Sequence, residues 1–209
     1  MFGVIWGSTP AKFQFKDKRD IKTPYGAVSV YMNEFCIIKR HGEKKVPPHR
    51  VNHKANIYAM KMLEVDFIVG VNSCGSLKKD IKVGEIVIPH DYIDFTGPNT
   101  FFDNVANHIT PGINERIRKL LLKAAKIKEI KVGDGGVYFQ TSGPRLETKA
   151  EVKMIGNFAD IVGMTMGSEA TLSKELLIPY ASICSVDNFA NGIYDISPTQ
   201  EQIIKSSSE

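Results

Sequence analysis

The sequence predicts an α/β protein in which a mixed β-sheet is flanked by helices within a single domain. Three observations carry that expectation. Short apolar runs of strand length alternate with stretches of helix period along the chain. The segment from Tyr25 to Met32 alternates in polarity as a hairpin does, which brings antiparallel pairing into the sheet. With 209 residues the chain can build one sizeable core and is short for two full domains, so residues 1–209 are assigned to one unit.

Eight segments have strand character: Phe2 to Trp6, Val28 to Met32, Phe35 to Lys39, Phe67 to Asn72, Glu85 to Pro89, Gly136 to Thr141, Ile161 to Met164 and Tyr180 to Val186. Each is a short run in which apolar or β-branched residues predominate. Five segments have helix period: Val51 to Leu63, Asn114 to Ala125, Glu147 to Ile155, Ser168 to Leu176 and Thr199 to Lys205. No repeat, linker or low-complexity tract interrupts the pattern.

Composition excludes several classes. Hydrophobic residues make up 43% and charged residues 24%, which suits a folded globular chain rather than a disordered or fibrous one. The longest apolar stretches, such as Phe67 to Val71, fall far below the roughly 20 residues that span a bilayer, so no membrane partner is expected. The first residues, MFGVIW, have no basic leader or cleavage site and read as a strand, which places the protein in the cytoplasm. The net charge of +4 is spread over scattered basic residues, which argues against nucleic acid. Three cysteines, Cys36, Cys74 and Cys184, form no CxxC, and the five histidines include no HExxH, so neither a metal nor another cofactor is expected.

Polar, small-residue turns follow several of the expected strands: Gly7-Ser8-Thr9, Arg40-His41-Gly42, Asn72 to Ser76, Ser142 to Arg145, Thr165 and Asp187-Asn188. In open α/β sheets ligands sit beyond the carboxyl ends of strands, where such turns can converge. Ser8, Arg40, Asn72, Ser73 and Thr165 supply hydroxyls, an amide and a guanidinium, a donor set for a tetrahedral oxyanion such as phosphate. Gly70 and Gly75 have P-loop spacing, but Ser76 and Leu77 stand where Lys and Ser or Thr are needed, and no GxGxxG is present. Cys74 as a nucleophile would require a neighbouring base and a depressed pKa.

Read in order, GVIWGS (3–8), RHG (40–42), PPHRVNHKANI (47–57), VNSCGSL (71–77), SGPRLETKAE (142–151), VGMT (162–165) and ASICSVDNFANG (181–192) resemble the trimeric purine nucleoside phosphorylase and methylthioadenosine phosphorylase family over nearly the whole chain. The resemblance implies a nucleoside phosphorylase-like fold and a homotrimer or dimer of trimers. It implies phosphorolysis of a purine nucleoside, with inorganic phosphate as co-substrate. Ser8, Arg40, His41, Asn72, Ser73 and Thr165 match phosphate-contacting positions. Cys74, Gly75, Leu146, Glu147, Met164, Asn188 and Ala190 match nucleoside contacts, with Leu146 standing where a purine-stacking phenylalanine is usual. His108 matches a histidine lent to a neighbouring subunit, and Gln200 lies near the 5′ position of the sugar.

Glu147 and Asn188 fall on the two base-recognition positions and are the candidate catalytic pair. A 6-oxopurine carries an N1–H that a Glu147 carboxylate accepts, whereas adenine would meet it lone pair to lone pair. Asn188 can donate to O6 and accept a proton held at N7 of the departing purine. The expected substrates are therefore inosine, guanosine or 5′-methylthioinosine. The alternatives are a 5′-methylthioadenosine phosphorylase, a hydrolase that uses water, or a nucleoside-binding protein without turnover.

Overall fold

Eleven strands join in one mixed sheet in the computed structural model, which describes residues 1–8, 15, 17–97 and 99–194. Gln200 and the helix expected over Thr199 to Lys205 lie outside these residues. The sheet is organised around β5 (Ile68–Ser76), whose burial is nearly continuous. On one side it pairs parallel with β1 (Gly3–Trp6), which in turn pairs parallel with β4 (Cys36–Lys39). Along its full length β5 also pairs parallel with β11 (Tyr180–Phe189), while its last residues pair antiparallel with β10 (Ile161–Gly163). A strand buried on both faces reads as a continuous apolar run, which is why its first half was legible.

One edge is the hairpin of β2 (Asp17–Thr23) and β3 (Gly26–Met32), with β3 antiparallel to β4. β2 has the sequence DKRDIKT and no apolar run, and it was not anticipated; charged side chains are what an exposed edge strand tolerates. The three-residue strands β6 (Ile86–Ile88) and β8 (Val132–Asp134) pair in parallel off β11. β7 (Asp91–Asp94) and β9 (Val137–Gln140) continue the sheet beyond β10.

Among the described residues four α-helices cover the sheet: α1 (His53–Met62), α2 (Glu115–Ile127), α3 (Lys149–Ile155) and α4 (Met166–Glu175). Each of the first three starts at a side-chain cap. Asn52 accepts from the Ala55 N–H at 3.0 Å, Asn114 from Ile117 at 3.1 Å, and Thr148 forms a capping box with Glu151. The capping box starts α3 at Lys149, two residues after the expected Glu147, and so leaves Glu147 in the preceding turn. The main core gathers Ile5, Ile38, Ile57, Met60, Ile68, Tyr138, Ile161, Met166 and Leu172 between sheet and helices.

Two segments expected as turns are strand. β5 runs through Asn72 to Ser76, and β11 runs through Asp187-Asn188 to Phe189. Their small polar residues obscure the strand, but mutual pairing of β5 with β11 satisfies the backbone. The register slips once: Val186 faces Cys74 and Asn188 faces Gly75, so Asp187 is the extra residue of a β-bulge. A bulge lets two successive side chains leave the usual alternation, and here it supplies both Asp187 and Asn188.

Two glycines inside strands hold space for tyrosine hydroxyls. A Cβ on Gly70 would overlap Oη of Tyr180, and one on Gly163 would overlap Oη of Tyr138.

Candidate functional site

Parallel pairing puts the carboxyl ends of β1 and β4 side by side, so the Arg40 N–H bonds the Trp6 carbonyl at 2.8 Å and Gly7 follows directly. The turn Gly7-Ser8 and the run Arg40-His41-Gly42 therefore meet at one end of a cleft of about 1260 Å³. Ser73, Cys74 and Gly75 of β5, Val162 to Thr165 at the end of β10, Pro144, Leu146 and Glu147 before α3, and Asn188 of β11 also line it. Eleven of the fifteen anticipated residues line it: Ser8, Arg40, His41, Ser73, Cys74, Gly75, Leu146, Glu147, Met164, Thr165 and Asn188.

Arg40 is buried, and most of its donors are already used. Nε bonds Glu169 Oε1 at 2.5 Å, Nη2 bonds Glu169 Oε2 and the Ile5 carbonyl, each at 3.2 Å, and Nη1 bonds the Val71 carbonyl at 2.8 Å. Of five guanidinium N–H groups, one on Nη1 is left among the described residues. Burial opposes the charge on Arg40, but the Glu169 carboxylate outweighs it and holds the guanidinium above its ordinary pKa. A Cβ on Gly7 would overlap Nη1, so glycine there lets the turn close on the guanidinium.

His41 contributes an acceptor. Its Nδ1 lies 2.7 Å from the Val46 carbonyl, which can only accept, so Nδ1 carries the proton and Nε2 of the neutral ring does not. Burial, helped by the neighbouring Arg40, lowers its pKa and favours that neutral form.

Asn72 does not reach the cleft. It is fully buried behind Thr165, whose Oγ1 donates to Asn72 Oδ1 at 3.0 Å, and its own amide donates to Ser182 Oγ at 2.6 Å. Because β5 continues as strand, its alternation turns Ser73 toward the cleft and Asn72 into the core. Ser73 donates its hydroxyl to Asp187, which also accepts from Ser185 at 2.9 Å. Burial raises the pKa of Asp187, and those two hydroxyl bonds work against the rise.

At the other end of the cleft, Glu147 is buried and accepts from Thr141 Oγ1 at 2.7 Å. Asn188 is half-buried, with its Nδ2 on the neighbouring Phe189 carbonyl at 2.8 Å. A Cβ on Gly75 would come within 3.2 Å of that Nδ2, so Gly75 opens the space in which the amide turns. Leu146 is 38% exposed at the rim. Cys74 is buried and bonds the Ser185 carbonyl; the neighbouring Cys184 and burial push its thiol well above the ordinary value, the opposite of what a nucleophile needs.

One further expectation is corrected: Ala190 does not line the cleft; it packs with Leu77, Val152 and Val162 while its N–H bonds the Ser76 carbonyl at 2.8 Å. His108 is exposed in the segment between β7 and α2 and does not reach this cleft in the single chain. Sequence reasoning gave no site role to Glu169, Tyr180 or Ser182, and named Asp187 only as part of a turn; these residues support the lining residues from behind. The visible trace of Glu169 was a carboxylate among small and apolar residues in MTMGSEATL.

Comparison with known proteins bears on the family and the fold. The family model described as "Phosphorylase superfamily" matches residues 3–209. A "Probable 6-oxopurine nucleoside phosphorylase" of Archaeoglobus fulgidus is 44% identical, covering 100% of this chain and 90% of the relative. A "Probable S-methyl-5'-thioinosine phosphorylase" of Methanocaldococcus jannaschii is 37% identical over 100% of this chain and 86% of its own. Among solved structures, methylthioadenosine phosphorylase from Schistosoma mansoni in complex with adenine superposes with a TM-score of 0.89 at 26% identity, covering 99% and 85% of the two chains. With the family model matching nearly its whole length and relatives at 37–44% identity covering all of it, the chain belongs to the phosphorylase superfamily.

Proposed function

We propose that this chain is a purine nucleoside phosphorylase that cleaves 6-oxopurine nucleosides, inosine, guanosine or 5′-methylthioinosine, with inorganic phosphate. The observation that carries the proposal is that Glu147 and Asn188, from distant segments, line the same cleft as the Gly7-Ser8 turn and Arg40. Phosphate binds between Ser8, the remaining Nη1–H of Arg40, Ser73 and Thr165. The monohydrogen dianion has one P–OH, and the unprotonated Nε2 of His41 is its acceptor. Ser73 and Thr165 now give their hydroxyl hydrogens to Asp187 and Asn72, so each donates to phosphate only after turning.

The nucleoside lies against Met164 with its base between Leu146, Glu147 and Asn188. Glu147 accepts the N1–H. Asn188 leaves the Phe189 carbonyl, donates to O6 and accepts a hydrogen bond from N7–H, as the purine takes a proton from solvent at N7 while the glycosidic bond loosens. Phosphate then attacks the anomeric carbon of a sugar that has become cationic, giving free base and the sugar 1-phosphate. Prepositioned donors and a dianion beside the developing cation lower the barrier, with no covalent enzyme intermediate. Assembly as a homotrimer or dimer of trimers, with His108 reaching a neighbour's cleft, belongs to the same proposal and is checked by mass in solution.

The test is base release from inosine, guanosine, 5′-methylthioinosine and 5′-methylthioadenosine, each with and without phosphate. Cleavage of the 6-oxopurines only in phosphate is the expected result. Faster cleavage of methylthioadenosine would overturn the base-recognition argument, and release without phosphate would make the enzyme a hydrolase.

A further inference from the structure

Glu169 is fully buried in the first turns of α4 and belongs to none of the segments that line the cleft. A buried carboxylate is costly unless it is paired and hydrogen-bonded, and Glu169 is both. Its two oxygens take the Nε and Nη2 donors of Arg40, and Oε2 also accepts from Tyr180 Oη at 2.8 Å. Tyr180 starts β11 and its hydroxyl occupies the space left by Gly70, so the carboxylate is held from the sheet as well as from its own helix. Burial, and then the Glu169 charge, hold the Tyr180 phenol well above its ordinary range, so it remains a donor.

We propose that Glu169 is the positioning residue of the phosphate site, and that with Tyr180 it sets the plane of Arg40 so that one Nη1–H points toward the Gly7 turn. The proposal rests on the assignment of that end of the cleft to phosphate. A free arginine has many rotamers and would have to be ordered by its ligand. Here the side chain is ordered beforehand by a fork-to-fork contact and two main-chain carbonyls, Ile5 and Val71. The ordering cost has therefore been met by folding before phosphate arrives. Glu169 touches no substrate; it acts through Arg40.

The test compares wild type with Glu169→Gln and Tyr180→Phe in two measurements: direct binding of inorganic phosphate by calorimetry, and the separate KM values for phosphate and for inosine. In Glu169→Gln an amide NH2 replaces one acceptor and faces donors. The phosphate Kd and KM are expected to rise at least tenfold, with the inosine KM within about twofold of wild type. Tyr180→Phe removes one hydroxyl and should raise the phosphate terms by about threefold. A purely structural role would lower thermal stability and leave the phosphate-to-inosine contrast unmoved. Phosphate affinity that is unchanged or raised in a folded Glu169→Gln overturns the proposal. If that variant does not fold, an unchanged phosphate Kd in Tyr180→Phe does so. A wild type that binds no phosphate would instead overturn the assignment of the cleft.

Discussion

The two ends of the cleft are built differently. At the end formed by Arg40, Thr165 and their support, side chains are buried and bonded to one another through Glu169, Asn72, Ser182 and Tyr180. At the end formed by Leu146, Glu147 and Asn188, the rim is exposed, and Asn188 holds only the carbonyl of the next residue. The first end is finished by folding, while the second is completed by the base. Changes at the first should therefore register in stability as well as in function, and a change at Asn188 chiefly in function.

Arg40→Met should break the comparison most visibly. It leaves the Glu169 carboxylate buried without its cation, which costs about 3–5 kcal/mol in other buried pairs. Chemical denaturation should show a loss of that size together with loss of phosphate-dependent turnover. A variant as stable as wild type would mean that the buried pair is not a structural element.

Asn188→Ala sharpens the contrast from the other side. Removing one donor aimed at a developing charge costs about 3 kcal/mol in the transition state, or roughly 100-fold in kcat. Thermal unfolding should move little, because among the described residues the one side-chain bond lost is to the Phe189 carbonyl. A large drop in stability with unchanged kcat would reverse the assignment of the two ends.

A smaller effect concerns His53, buried at the start of α1 with no partner for Nδ1 among the described residues. Burial, with Arg40 and His41 adding to it and Glu169 opposing, lowers its pKa from 6.5 to about 4. The unfolded chain takes up a proton below pH 6.5 that the native chain refuses until about pH 4. Stability is thus full above the higher value and falls as pH drops through this window, by up to about 3 kcal/mol. Urea midpoints measured between pH 7 and 4 should show this slope, and His53→Phe should flatten it. An identical slope in the variant would place the linkage on other groups.

The sequence was most informative where a residue type serves one purpose. Apolar runs gave β1, β4 and the first half of β5, and helix-period stretches placed the starts of α1 to α4 to within about two residues. It was least informative where polarity hid pairing. The edge strand β2 has no apolar run, and NSCGS and DN looked like turns although they are strand. The same confusion placed Asn72 in the cleft: as a turn residue it would have been free to point there, but strand alternation turns it inward. Glu169 and Tyr180 could not be joined to Arg40 from the sequence, because that contact spans 129 positions and depends on how α4 packs under the sheet.

The two tyrosine hydroxyls that fill the space of missing side chains carry a consequence for how this chain can vary. Oη of Tyr138 fits because residue 163 is glycine, and it accepts from the Thr165 N–H at 3.2 Å. Oη of Tyr180 fits because residue 70 is glycine, and it steadies Glu169. Each glycine and its tyrosine therefore behave as one heritable unit. A methyl gained at position 70 or 163 must be accompanied by a change in the tyrosine opposite, so single substitutions at these positions are closed to the chain and paired ones are the route by which it can drift.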